Sequence, residues 1–437
     1  MDRGGRGLGL LSWRTRWKLI EFVRNSIWIV PAIFVLTAIS LGVLLPDLDE
    51  RTNFVIGVDY GASAAQGMLG AMAGGMITFT GFVFSILLLA VQFGSSQFSP
   101  RMLRRFLRDP TTKVSLGMFM ATFIYALLVL RTIEPRGNAD FIPDFSVSIS
   151  ILMLLISMFL FLRLISRTTQ GLRVAAVVKT VGDEGAVAIA EVYPEAAPAQ
   201  GEASPTPLAA TNGGSTQVTF EEGPGILQSI DHRGLVRIAT EAGVTIELVS
   251  SIGGMVIPGG PLFRIHGEGT VDPEALRRSV AVGDERNMKQ DPAFVFRLLA
   301  DISAKALSPG VNDPTTSVQA LDQIELLLCF VATRRLLPGE VRDEAGELRL
   351  VYRAPSWEDF LSIGLEETRL FGAASIQVVR RLRALLEDLL GVVPEFRRAA
   401  VEEQLLMLEA SVSASYGTAA DLFSAGISDR QGIGSPR

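Results

Sequence analysis

Four apolar runs near the start of the chain limit its folding options more than any other feature: Ile27 to Leu45, Gly67 to Val91, Val114 to Leu130 and Phe145 to Ile165. Each approaches the roughly 20 residues that a helix needs to cross a bilayer core. In such a core every backbone amide must be satisfied within its own segment, which leaves helices as the solution for runs of this kind. Hydrophobicity is concentrated before residue 180, whereas the remainder of the 437 residues has ordinary polarity. The expected fold is therefore membrane α-helical, with four transmembrane helices, followed by a cytoplasmic α+β domain containing a small β module and a helical bundle.

Basic residues assign the sides. Six Lys or Arg precede the first run, five follow the second (Arg101, Arg104, Arg105, Arg108 and Lys113), and four mark the exit from the fourth (Arg163 within its last turn, then Arg167, Arg173 and Lys179). The opposite loops hold only Arg51, Arg131 and Arg136. Positive charge stays on the cytoplasmic side, so both termini are expected in the cytoplasm. The leader lacks the short apolar core and small-residue cleavage site of a signal peptide, which predicts an uncleaved anchor.

The second run differs from the others. It carries Gly67, Gly70, Gly74, Gly75 and Gly81, with Thr78, Thr80 and Ser85 between them. Gly70 and Gly74 form a GxxxG pair that lets helix backbones approach closely in lipid. The ordinary reading is intramolecular helix packing. The alternative is that Gly70, Gly74, Thr78, Gly81 and Ser85 line a narrow path between copies of the chain. No charged residue lies in the central part of this run, which argues against a proton relay. After it, "SSQFSPRMLRRFLRD" sets Met102, Leu103, Phe106 and Leu107 against Arg101, Arg104, Arg105 and Arg108. This pattern suits anionic lipid headgroups or an ordinary positive-inside loop.

Composition and pattern suggest seven segments: a basic cytoplasmic leader (1–26), the membrane domain (27–165), a cytoplasmic helix (166–193), a flexible Ala/Pro/Gly-rich linker (194–222), a small β module (223–285), a helical domain (286–425) and a disordered tail (426–437). In the β module, Gly253, Val256, Gly259 and Leu262 have the G-x-x-V-x-x-G-x-x-L spacing of barrel-sandwich carrier domains. The lysine such carriers need on the following hairpin turn is missing, so the resemblance extends to fold and not to carrier chemistry.

Chemistry-bearing residues are sparse. Cys329 is the single cysteine and His232 and His266 are the only histidines, so neither a disulfide nor a histidine-rich metal site is expected. A net charge of −6 gives no sign of a nucleic-acid partner. There is no GxSxG, P-loop, HExxH or CxxC motif; the nearest acid–base groups are Asp301, Lys305 and Asp313. No enzyme activity, cofactor or metal is expected. Ser308 to Pro314 reads as a sharp helix–helix connector with Asp313 as cap and Pro314 in the first turn. The alternative gives His232, Asp301, Ser308, Asn312 and Asp313 to a cation or a cytoplasmic protein partner.

Four stretches, "TFTGFVFSILLLAVQFGSSQFSPRMLRRFLRD", "LGMFMATFIYALLVLRT", "GILQSIDHRGL" and "ERNMKQDPAFVFRLLADISAKALSPGVNDPTTSVQALDQI", resemble an uncharacterised bacterial family of predicted membrane proteins, domain of unknown function 2254. The resemblance implies an inner-membrane protein and no particular activity. Arg163 stands where the family leads one to expect histidines, and the Ala/Pro-rich insert is longer than usual. The functional expectation is an oligomeric channel or small-solute pathway lined by the second run, with a cytoplasmic regulatory domain. The alternative is a non-transporting scaffold that binds a cytoplasmic partner.

Overall fold

The computed structural model describes residues 13–52, 60–97, 109–133, 141–171, 173–198, 215–336 and 339–433. They divide into two compact units, Glu21–Ala176 and Val177–Arg437, the second joined by the described part of Met1–Ile20.

The first unit contains the end of α1 (Trp13–Asn25), then α2 (Ile29–Thr52), α3 (Ala62–Gln97), α4 (Pro110–Thr132) and α5 (Asp144–Gly171). The last four are long and apolar enough to cross a membrane. They extend past the apolar runs because their polar ends are also capped. Asp109 accepts from the Thr111 amide at the start of α4, with Pro110 in the first turn, where a missing N–H costs nothing. The Asp49 carboxylate accepts from both the amide and the hydroxyl of Ser146, at 3.0 and 2.8 Å. It thereby satisfies first-turn donors of α5 and places negative charge at that helix's positive end.

Helix α4 is the central element of this unit. Phe119, Tyr125, Ala126 and Val129 are fully buried. Its contact with α2 depends on two glycines. A Cβ on Gly42 would come within 2.9 Å of Leu128, and one on Gly117 within 3.1 Å of Phe34 and of the Pro31 backbone. Thr122 and Ser157 share a hydrogen bond of 3.0 Å between α4 and α5, a way for hydroxyls to be paired inside an apolar bundle.

The second unit begins with α6 (Val174–Val192), whose Gly185 brings its backbone against Val295 and Leu327. Then come β1 (Thr216–Thr219), β2 (Gly225–Ile230), α7 (His232–Ala242), β3 (Thr245–Leu248), β4 (Met255–Val256), β5 (Pro261–His266), α8 (Pro273–Arg278) and β6 (Val280–Gly283). After them the chain runs through α9 (Ala293–Ala306), α10 (Pro314–Ala332), β7 (Glu340–Arg342), β8 (Leu348–Tyr352), α11 (Trp357–Gly372), α12 (Ile376–Val392), α13 (Glu395–Ser415) and α14 (Ala419–Ala425).

The strands form a five-stranded sheet in the order β1-β5-β3-β8-β7 and a three-stranded sheet in the order β4-β2-β6. Ile246 of β3 pairs antiparallel with Ile265 and parallel with Leu350. All three side chains point into a core shared with Leu227, Leu235, Ala239 and Phe263. The long helices bury Phe296, Leu299, Ile324, Leu328, Phe360 and Leu385.

Three expectations need correction. The β module is not a barrel-sandwich. It incorporates α7, and its central strand β3 pairs with β8, about a hundred residues later. Helix α7 carries apolar residues at helical spacing with Asp231 capping its start and Gly243, in the left-handed conformation, ending it. In residues 286–425 the stretch "ELRLVYRAP", which reads as a strand, contains β8, and with β7 it completes the sheet.

The linker is also shorter than its composition implies. At its front, Ala196 bridges Arg334. At its rear, Val218 of β1 pairs with Phe263 of β5, because the alternating Val218 and Phe220 have an apolar face to bury. Finally, residues 426–433 are held in place. Arg430 makes two bonds of 2.7 Å to the Asp388 carboxylate, and Gly432, at φ 75°, leaves no room for a side chain against the Gln377 backbone.

Candidate functional site

Helix α3 has two dissimilar faces. Ala65, Leu69, Met72, Ala73, Met76, Val83 and Ala90 are buried against the unit. Gly67, Gly70, Gly74, Thr78, Gly81 and Ser85 recur at intervals of three or four residues, and at 3.6 residues per turn that spacing forms one stripe. All six are exposed, on the side opposite the buried set. A Cβ built on Gly67, Gly70, Gly74, Gly75 or Gly81 would meet none of the described residues within 4 Å.

The intramolecular-packing reading of these glycines is therefore overturned. Close approach within the chain is supplied by Gly42 and Gly117, isolated glycines without a GxxxG signature. Their role depends on which residues α2 and α4 place opposite them. The hydroxyls of the stripe are satisfied locally, as Thr78 donates to the Gly74 carbonyl and Ser85 to the Gly81 carbonyl, each at 3.0 Å. Exposed Ile77, Phe82, Phe84, Leu88 and Leu89 surround the stripe. The result is a smooth, uncharged, small-residue track bordered by large apolar side chains. Such a track can accept another helix at short range or leave a narrow gap between helices.

Beside this face, two open apolar grooves run along the seam between α3 and α5. One, of about 360 Å³, is lined by residues including Gly75, Met76, Phe79 and Ser157. The other, of about 290 Å³, is lined by residues including Val83, Leu87, Phe161 and Thr168. Arg101, Arg104, Arg105 and Arg108 lie outside the described residues.

The remaining candidates do not converge. In the Ser308–Pro314 connector, Asp313 accepts from the Thr316 amide at 3.2 Å and from the Thr316 hydroxyl at 2.6 Å. Asn312 takes the left-handed conformation at φ 49°, and its amide donates to the Ser308 carbonyl at 2.9 Å. The Ser308 hydroxyl donates to the Lys305 carbonyl at 2.7 Å. These groups close off one helix and open the next. Asp301 is engaged with Arg297 at 2.8 Å, and Arg297 also reaches Glu367 at 2.7 Å.

Asp313→Ala is expected to cost about 1 kcal/mol through loss of the cap. Asn312→Gly should be neutral or slightly stabilising, because glycine adopts positive φ without steric cost. Hydrogen exchange of the first turn of α10 in the full-length protein would register both effects.

His232 is the first residue of α7; Asp231 provides the cap, accepting from the Gly234 amide at 3.0 Å. The imidazole packs edge-on against Tyr352, with centroids 5.2 Å apart. Burial lowers its pKa, and the neighbouring Asp231 charge opposes that shift only in part. The folded state thus binds a proton less readily than the unfolded chain, whose imidazole titrates near 6.5. Stability contributed by neutral His232 is complete above that value and is lost as pH falls through it toward the folded pKa. The protection of β3 and β8 amides, taken relative to their intrinsic exchange rate at each pH, should therefore fall between pH 7 and pH 5. His232→Phe should flatten that dependence.

Several polar groups gave no signal in the sequence because their partners are distant along the chain. Ser303, Ser317 and Thr368 form a fully buried seam, with 2.7 Å between the serine hydroxyls and 2.9 Å from Thr368 to Ser303. Arg286 clamps the buried Asp291 carboxylate at 2.7 and 3.0 Å, directly against Gly253. Burial nonetheless raises the Asp291 pKa. Buried Arg381 joins Asp322 and Glu325. Burial also pushes the Cys329 thiol up to about 11, which leaves it a poor nucleophile at neutral pH. Among the described residues no group of three or more His, Cys, Asp or Glu could hold a metal ion.

Comparison with known proteins gives the same broad picture. Uncharacterized proteins of Mycobacterium tuberculosis and Mycobacterium bovis are each 29% identical over 417 residues, spanning 92% of this chain and 79% of theirs. No solved structure matches the chain. The family model described as "Predicted membrane protein (DUF2254)" matches residues 24–388, across the four apolar helices, both sheets and most of the helical region. This chain belongs to that family of membrane proteins, whose function is unknown.

Proposed function

We propose that the protein forms a homo-oligomeric pathway for small, uncharged or weakly selected solutes in a bacterial inner membrane. In this arrangement α3 of each copy turns its small-residue stripe toward the assembly axis. The sheet-and-helix unit then sits in the cytoplasm as the regulatory part, in line with the distribution of Lys and Arg around the apolar helices. One observation carries the reading: the stripe is on the face of α3 opposite the one packed in its own chain. Glycine in a lipid-facing position forfeits the contacts a large apolar side chain would make, whereas against another helix it allows close approach.

Local satisfaction of the Thr78 and Ser85 hydroxyls also supports a second reading, a non-conducting scaffold packed through the same stripe. The two are separated by one protein sample. With Cys329 replaced by Ala, Gly74→Cys is expected to form disulfide-linked dimers in native membranes. The same preparation, reduced and reconstituted, should pass small solutes or current. Efficient crosslinking without any flux would support the scaffold; failure to crosslink would remove both readings.

A further inference from the structure

We propose that α1 is an interfacial helix, seated in the headgroup layer of an anionic bilayer by the face bearing Leu19, Ile20, Phe22 and Val23. These four side chains are 45, 49, 64 and 43% exposed. A helix in water normally turns its apolar residues toward the protein and its charges outward, yet α1 keeps this apolar arc outside. Its inward side carries Trp13 stacked on Trp17, with centroids 5.7 Å apart, and the Arg14–Glu222 ion pair. The Lys289 ammonium lies 4.4 Å above the Trp17 ring. Glu21 is buried and paired with Arg24 at 3.1 Å. The apolar arc is left outward, accompanied by exposed Arg16 and by exposed Lys18, whose ammonium also stands 3.9 Å from the Glu222 carboxylate.

Covalent connection determines what covers this face. Only Ser26, Ile27 and Trp28 separate α1 from α2, the first of the membrane-crossing helices. At no more than about 3.6 Å per residue, they keep the end of α1 within roughly 15 Å of the point where the chain meets the bilayer. Trp28 is 68% exposed at that junction, where indole rings favour the boundary between headgroups and acyl chains. An exposed apolar arc, cationic neighbours and enforced proximity to lipid together specify an anionic membrane surface. The arginines and lysine of the leader serve topology in the sequence reading; the structure gives Arg16 and Lys18 a second task.

The test uses full-length protein carrying Cys329→Ala in nanodiscs of phosphatidylcholine and phosphatidylglycerol. Spin labels are placed one at a time through Leu19→Cys, Phe22→Cys and Val23→Cys, with Glu358→Cys as the water reference. All three α1 labels are expected to favour collision with oxygen over a polar nickel chelate, at a depth of about 5–10 Å below the phosphates. Adding Arg16→Glu and Lys18→Glu should draw them toward water. Water-like accessibility equal to that at position 358 would overturn the proposal. So would exclusion of both reagents, which would mean that a second copy or another protein covers the face. Labels that remain at full depth in the doubly charge-reversed variant would overturn the assignment of Arg16 and Lys18.

Discussion

Replacing Gly74 with leucine is expected to dissociate the assembly while leaving the single chain folded. Among the described residues a Cβ at position 74, an exposed site, meets nothing within 4 Å, and leucine favours a helix at least as well as glycine. Between copies the situation reverses, since a helix seated on Gly70 and Gly74 would need the space that leucine takes. Overpacking of this kind costs about 1–3 kcal/mol, roughly five- to 150-fold in association. Sedimentation or mass photometry in detergent should shift toward the monomer, and solute flux should fall in step. Gly117→Leu is the contrasting variant. It would collide with Phe34 and the Pro31 backbone, so the chain itself should lose thermal stability. A Gly74→Leu protein with unchanged assembly would exclude the stripe as the contact between copies.

Arg397→Leu is expected to be the most damaging single change in the second unit. The Arg397 side chain is only 2% exposed, yet it carries a full charge. Its guanidinium donates to the Val331, Ala332 and Arg334 carbonyls at 3.0, 2.8 and 3.1 Å. Val331 and Ala332 end α10 and Arg334 lies two residues beyond it; helix-end acceptors are short of intrahelical donors, and a cation there is favoured by the helix dipole. The guanidinium also lies 5.5 Å from the Trp357 ring centroid, and the Trp357 indole N–H donates to the Arg397 carbonyl at 3.2 Å. Leucine would fill part of the volume but take this donor from the Ala332 and Arg334 carbonyls, whereas Val331 still accepts from the Arg334 amide at 2.9 Å. The cost is about 1–3 kcal/mol for each group fully stranded. A loss of at least 3 kcal/mol is expected, measured as faster exchange in α10, α11 and α13 of the full-length protein. Arg397→Lys should recover only part of it, because one ammonium cannot span three carbonyls as a planar guanidinium does.

The membrane helices were legible because their signal is local. A run of about 20 apolar residues is sufficient in itself, and caps such as Asp109–Pro110 and Asp313–Pro314 operate within three or four residues. The Ser308–Pro314 connector could be understood from its own side chains for the same reason. The small-residue stripe was legible as a pattern but not as a direction. Spacing identifies one face of α3; only the packing of the other face against α4 and α5 shows that the stripe points away from its own chain.

The sheet was obscured by long-range pairing. The partner of β3 is β8, and no property of "TIEL" selects "LRLVY" over other short apolar segments. Polar clusters such as Ser303–Ser317–Thr368 were obscured in the same way.

From its sequence alone, then, this protein is committed to four long apolar helices flanked by positive charge, and to a following region of short strands and helices. Hydropathy and capping determine these features because they act over a few turns of chain. The tertiary structure decided which glycines pack inside the unit, which strand completes the sheet and which face of α1 is left bare. Each of those outcomes depends on what arrives from elsewhere in the chain to cover a surface.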